Sequence, residues 1–259
     1  MASLTRAAIT PGLQGQHAIV TGSGTGIGRA IAQALHSLGA NVSIADLNGN
    51  AALTVAADLS HVGPTCLGLQ LDVSEATSVA AGVAMAIDHW GRIDILINNA
   101  GTSGESAPVW EATDTNWAHV LAVNLTGTFH MCRAVLPSMR KRGYGRIVNV
   151  SSISARDGNA NAAAYSASKA GILGLTRALS LEVADAGILV NAVSPAAVDT
   201  ERALAADQAS RAPLIDKIPM GRAARPEEVA DLVLFLASPA CAFSTGANFD
   251  ISGGRANIT

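Results

Sequence analysis

Aromatic side chains are scarce in this chain, at 3% of its 259 residues. Charge is scarce too, at 14%, while hydrophobic residues reach 49%. So little charge beside so much apolar side chain excludes a disordered chain and allows a large core. With few rings, that core must be built from Ala, Val, Ile and Leu, as where helices cover both faces of a parallel sheet. Net charge is −3 with no basic run, which argues against nucleic acid as a partner. Cys66, Cys132 and Cys241 are isolated and odd in number, so reduced, buried thiols are expected rather than a disulfide framework. The six histidines are scattered and no Cys-x-x-Cys occurs, so no metal is expected. No apolar run reaches membrane-span length, and residues 1–12 lack a signal-type apolar core. The default expectation is a cytoplasmic protein with no membrane partner.

What the chain has is alternation. Short apolar runs at 17–21, 41–45, 65–71, 93–97, 146–150, 189–193 and 248–251 predict strands. Helical patterns fill 27–38, 51–59, 75–90, 117–140, 164–183 and 226–236. Strands alternating with helices indicate βαβ units and a parallel sheet, the α/β class. No linker divides the chain, so one domain over 1–259 is expected. Residues 196–220 differ: they carry mixed charge with Pro213 and Pro219. They read as an irregular insertion over the sheet edge, a mobile substrate lid.

The first strand runs straight into Gly22-Ser23-Gly24-Thr25-Gly26-Ile27-Gly28, and a helix follows. Glycines let a backbone turn sharply and approach a pyrophosphate, and the helix N-terminus offers it free N–H groups. Asp46 closes the second strand, eighteen residues beyond Gly28, where an acid binding the adenosine ribose 2′-OH should lie. A carboxylate there repels a 2′-phosphate. Thr25 and Leu47, where a basic residue could hold that phosphate, are neutral, and Arg29 is read as facing along its helix. The expected cofactor is NAD rather than NADP; the alternative for Asp46 is a strand-end cap of the next helix. Asp72-Val73 ends the third strand, where an acid can accept a bond from the adenine amino group. Asn98-Asn99-Ala100-Gly101 ends the fourth. Ala100 and Gly101 allow close approach to a cofactor. Asn99 is read as a cofactor neighbour and Asn98 as structural, with a structural role open for both.

Tyr165 and Lys169 sit four apart on a predicted helix, so their side chains share a face. A free tyrosine, with a pKa of about 10, is a poor base at neutral pH, and a neighbouring ammonium lowers that value. Together with Thr21-Gly22-x-x-x-Gly26-Ile27-Gly28, Asn98-Asn99-Ala100-Gly101, Asn124 and Ser152, the pair resembles the short-chain dehydrogenase/reductase family over about residues 13–254. The resemblance implies a Rossmann-type, doubly wound seven-stranded sheet of order 3-2-1-4-5-6-7 with helices on both faces, and a homotetramer. It also implies a catalytic set of Asn124, Ser152, Tyr165 and Lys169. In oxidation Tyr165 would take the hydroxyl proton, and Ser152 would bond the substrate oxygen. Lys169 would tune Tyr165 and hold the nicotinamide ribose. Ser151 is adjacent to Ser152, but period-two alternation points it the other way. Asn124 would bend its helix or hold a water near Lys169; otherwise it is a surface asparagine. The resemblance further implies that residues 195–200 line the nicotinamide, with Pro195, backbone groups of Val198 and the Thr200 hydroxyl. Ala196 departs from the family's usual glycine after that proline.

Asp157-Gly158-Asn159, Phe243-Ser244-Thr245-Gly246 and the stretch 249–256 are similar to bacterial 2-keto-3-deoxy-sugar-acid dehydrogenases. Arg156, four past Ser152, and Arg202, two past Thr200, could each clamp a substrate carboxylate; both could equally be surface arginines. The expected substrate is a small polar sugar acid or hydroxy acid. The alternatives are a 3-oxoacyl carrier-protein reductase, a sugar or polyol dehydrogenase, and a dinucleotide-binding sensor without turnover. The tail 255–259 could reach a neighbouring subunit's site.

Overall fold

The structure, a computed structural model, describes residues 12–205 and 208–257. Residues 1–11, in which no signal-type apolar core is read, and the tail residues Ile258 and Thr259 lie outside them. Seven strands form one sheet: β1 His17–Thr21, β2 Asn41–Asp46, β3 Cys66–Gln70, β4 Ile95–Asn98, β5 Gly145–Val150, β6 Ile188–Pro195 and β7 Asn248–Ile251. Their order is β3-β2-β1-β4-β5-β6-β7 and every pairing is parallel. The expected class and order are therefore both found.

Alternation within the strands divides the core. Val20, Ile95, Ile97 and Val148 face α1 (Gly26–Ser37), α2 (Gly49–Ser60) and α10 (Pro226–Ala237). Their neighbours Ile19, Leu96 and Ile147 face α3 (Ala76–Trp90), α5 (Gly127–Arg142) and α7 (Ala163–Val183). Among the described residues, the largest fully buried side chains are Leu, Ile and Met, so aliphatic packing replaces the missing rings. The cysteines are free thiols, and burial pushes Cys132 up to about 12.

Three segments differ from the sequence reading. The helix expected at 117–140 starts earlier, as α4 (Asp114–Leu121), because the Thr113 hydroxyl caps it by accepting from the Asn116 N–H. It then passes through a π turn, Ala122–Thr126, before α5. A short helix α6, Ser154–Asp157, follows β5. Residues 196–220 are less irregular than their prolines imply. They hold α8 (Glu201–Leu204), capped by Thr200, and α9 (Gln208–Ile215), which contains Pro213.

The strand order reverses between β1 and β4. In open parallel sheets that switch point opens a crevice beyond the carboxyl ends of the strands, and ligands bind there.

Candidate active site

The glycine loop lies at that crevice. Gly22 has φ +62°, and a Cβ there would stand 2.8 Å from the Ala100 Cα. A Cβ on Gly28 would run into the Gly22 carbonyl and lie 2.5 Å from Asn99 Nδ2. Loop and β4 end are thus in backbone contact. Asn99 fastens them, donating from Nδ2 to the carbonyls of Thr21 at 3.0 Å and Gly22 at 2.9 Å. Thr21 Oγ1 in turn accepts from the N–H groups of Asn99 and Ala100, both at 3.1 Å. Asn98 is buried and donates to Asn149 Oδ1 at 2.8 Å, a structural tie between β4 and β5.

Asp46 reaches into the loop. One carboxylate oxygen accepts from Gly24 N–H and the other from Asn48 N–H, each at 2.9 Å. The cap of α2 is Asn48, not Asp46. Arg29 points away, 3.9 Å from Asp58, and Leu47 is exposed. Asp72 accepts from the backbone and hydroxyl of Ser74, beside buried Val73. At the start of α1, Gly26 N–H donates to Glu201 Oε2 at 3.0 Å, so a carboxylate from α8 stands where a helix N-terminus attracts an anion. A cradle that admits no Cβ, ending in an N–H that already draws an anion, fits a dinucleotide pyrophosphate.

A cleft of about 480 Å³ continues from this loop. Gly101, Ser152, Tyr165, Lys169, Thr200 and Arg202 are among its walls. Arg156 is not; it is exposed on α6. Ser151 and Ser152 diverge as alternation requires: Ser151 Oγ donates to the Lys169 carbonyl at 2.9 Å, while Ser152 Oγ lies 3.2 Å from Ser154 Oγ. Lys169 Nζ sits 5.7 Å from the Tyr165 ring centre and donates to the Val150 carbonyl at 2.8 Å. Burial lowers the Lys169 pKa to about 8. Burial raises that of Tyr165, against an opposing hydrogen bond with Ser152. The net effect on Tyr165 is thus upward, not the downward shift expected from Lys169, because desolvation penalises the phenolate more than its surroundings favour it.

Asn124 is fully buried in the π turn. Its amide accepts from Thr102 N–H at 2.8 Å and donates to the Thr102 carbonyl and Ser168 Oγ, both at 2.9 Å. It therefore ties the β4 exit to the helix of Tyr165 and Lys169, and is no surface residue. The sequence reading assigns no individual role to Thr21, Thr102, Ser154, Asn159, Ser168 or Glu201. Ser168 had a signal, lying inside the Tyr165–Lys169 turn; Glu201 had none. Arg255 is buried and its Nε donates to Asp157 at 3.1 Å, so this part of the tail packs on its own chain. Among the described residues no group of His, Cys, Asp or Glu could hold a metal, and no helix is long and apolar enough to cross a membrane.

Fold and cleft together define a dinucleotide-linked oxidoreductase. Comparison with known proteins narrows the class. A family model described as enoyl-(acyl carrier protein) reductase matches residues 22–256. A 2-dehydro-3-deoxy-L-rhamnonate dehydrogenase (NAD(+)) from Sphingomonas is 42% identical over 243 residues, 93% of this chain and 95% of that protein. A 3-oxoacyl-(acyl-carrier-protein) reductase from Pseudomonas aeruginosa is 41% identical over 242 residues, 93% of this chain and 98% of its own. The crystal structure of gox2181 superposes with a TM-score of 0.92 at 35% identity, covering 96% of this chain and 98% of that one. The chain belongs to the short-chain dehydrogenase/reductase family, and it is an alcohol dehydrogenase acting on CH–OH groups with a nicotinamide dinucleotide.

Proposed function

We propose that this enzyme interconverts a secondary alcohol and a ketone on a small polyhydroxy acid, of the 2-keto-3-deoxy-sugar-acid type, with NAD as its cofactor. The observation that carries the cofactor half is Asp46, whose carboxylate is anchored by Gly24 and Asn48 N–H groups and, among the described residues, is in no ion pair. A carboxylate so held accepts ribose hydroxyls and repels a 2′-phosphate. The named NAD(+) dependence of the Sphingomonas relative supports the same reading. For the substrate, Arg202 in the cleft wall is the cation placed to pair a carboxylate, and Arg156 is set aside for its position outside.

In this reading Gly22, Gly24, Thr25, Gly26, Ile27 and Gly28 cradle the pyrophosphate. Asp46 and Leu47 flank the adenosine ribose, Asp72 and Val73 the adenine. Asn99, Ala100, Gly101, Pro195, Val198 and Thr200 lie along the nicotinamide half. Thr200 Oγ1 accepts from Ala203 N–H and keeps its own proton for a cofactor oxygen. Bound there, the nicotinamide ring supplies the hydride acceptor. Tyr165 takes the alcohol proton, Ser152 hydrogen-bonds the substrate oxygen, Lys169 presents positive charge beside the phenol, and Asn124 holds the Tyr165–Lys169 helix in register. Exposed Trp117, Phe129 and Leu181 offer apolar surface for the homotetramer implied by the resemblance.

Asp46→Ala is expected to lower the ratio of NAD to NADP kcat/KM by about tenfold or more, the worth of a charge-assisted hydrogen bond. An unchanged ratio would remove the basis for NAD. Glu201→Gln should tighten NAD by about two- to fivefold, since it neutralises an anion at the α1 N-terminus. A fluorescence titration reads this; weaker binding would show that Glu201 organises the loop instead.

A further inference from the structure

We propose that Ser154 and Asn159 are positioning residues that fix Ser152 as a hydrogen-bond donor toward the substrate oxygen, an inference that rests on the role given above to Ser152. Asn159 Nδ2 donates to Ser154 Oγ at 2.7 Å. Ser154 Oγ and Ser152 Oγ are 3.2 Å apart, and either hydroxyl can donate across that gap. Ser154 N–H also donates to Ser152 Oγ, at 3.1 Å. A serine hydroxyl has one proton and two lone pairs.

Counting protons fixes the direction. With the Asn159 amide donating into Ser154 Oγ, the Ser154 proton needs an acceptor. As placed, Ser152 Oγ donates to Ser154 Oγ; rotating the two hydroxyls about their C–O bonds makes Ser152 Oγ, 3.2 Å away, the acceptor instead. Ser152 Oγ then receives two protons, from the N–H and the O–H of Ser154. Both its lone pairs are filled, and its own proton points out of the pair, toward Tyr165 and the cleft. The opposite arrangement would turn a Ser152 lone pair toward the substrate oxygen, where two acceptors repel. Ser154 is 2% exposed and Ser152 lines the cleft, so Ser154 acts through Ser152.

The relay is anchored at both ends. Asn159 N–H donates to Ser166 Oγ at 3.1 Å, one residue from Tyr165 on α7. Asp157, two residues before Asn159, is held by buried Arg255. Asn159 is thereby fixed relative to the phenol whose chemistry it supports.

The test compares wild type with Ser152→Ala, Ser154→Ala, Asn159→Asp and the Ser152→Ala/Ser154→Ala double variant. Saturation kinetics with NAD and one alcohol oxidised by the wild type are measured, with folding checked by thermal melting. Ser152→Ala is expected to lower kcat by about 10²–10³-fold. Ser154→Ala should lower kcat by about tenfold with KM little changed, the scale of one hydrogen bond. Asn159→Asp keeps the side-chain shape but replaces a donor by an acceptor, so it should lose a similar factor. In the double variant Ser154→Ala should cost nothing further, because the two residues act as a unit. The relay is overturned if Ser154→Ala or Asn159→Asp keeps wild-type kcat, or if the double variant loses the product of the two single factors. If instead Ser152→Ala keeps wild-type kcat, the role of Ser152 itself fails, a different and recognisable result.

Discussion

Tyr165→Phe is expected to lower kcat for alcohol oxidation by about 10²–10⁴-fold, the range of a lost general base, with little change in NAD affinity. The substitution removes one oxygen from a side chain packed against Lys169 and Ser152 and leaves the ring in place. Its pH signature is specific. Burial raises the Tyr165 pKa above the ordinary phenol value, so at neutral pH the free enzyme holds the proton. Oxidation needs the deprotonated form, and its rate should climb as pH rises, without a plateau short of the phenol range. Reduction needs the protonated form and should not climb. Lys169, lowered to about 8, carries its charge below that pH. The Phe variant should lose the slope; a Phe variant with the wild-type slope would take the proton transfer away from Tyr165.

Gly28→Ala is expected to be nearly as severe, for a steric reason. The added methyl would overlap the Gly22 carbonyl oxygen and press on Asn99 Nδ2, and a backbone carbonyl cannot rotate out of the way as a long side chain can. Relief must come from spreading the loop away from β4, which breaks the Asn99 bonds to Thr21 and Gly22. Overpacking of this kind costs about 1–3 kcal/mol of stability. A displacement near 1 Å in the cradle should reduce kcat/KM for NAD by roughly 10²-fold. Thermal melting and NAD titration check the two effects separately. Unchanged NAD binding in a folded Ala variant would mean that the cofactor lies elsewhere.

Much of this fold is legible because period-two and helical periodicities are strong in a chain so rich in Val, Ile, Leu and Ala. All seven strands lie within a few residues of their expected places. β4 starts at Ile95 rather than 93, with Asp94 just before it already bonded to both neighbours: its N–H donates to the His17 carbonyl and its carbonyl accepts from the Arg146 N–H, both at 2.9 Å. The π turn at Asn124 is invisible to periodicity; the amide within it meets Thr102 and Ser168, partners distant in sequence. Prolines at 213 and 219 argued for an irregular lid, yet Pro213 is accommodated within α9. In the site, Gly22, Asp46, Ser152, Tyr165 and Lys169 could be singled out because each carries its chemistry in its residue type and strand-end or helix position. The direction of the Tyr165 shift could not, because burial is a tertiary property. Neither could Glu201 at Gly26, a contact across 175 residues. The placing of Arg202 in the cleft and Arg156 outside it likewise depends on how α6 and α8 fold.

The most direct measurement is kcat/KM for oxidation of a panel of sugar acids, aldoses, polyols and 3-hydroxyacyl esters, each with NAD and with NADP, beside reduction of a 3-oxoacyl thioester with NADPH. The arrangement of Asp46, Arg202 and the Tyr165–Lys169 pair predicts the highest value for a polyhydroxy acid with NAD. Acyl thioester reduction with NADPH far exceeding every NAD-linked oxidation would contradict it.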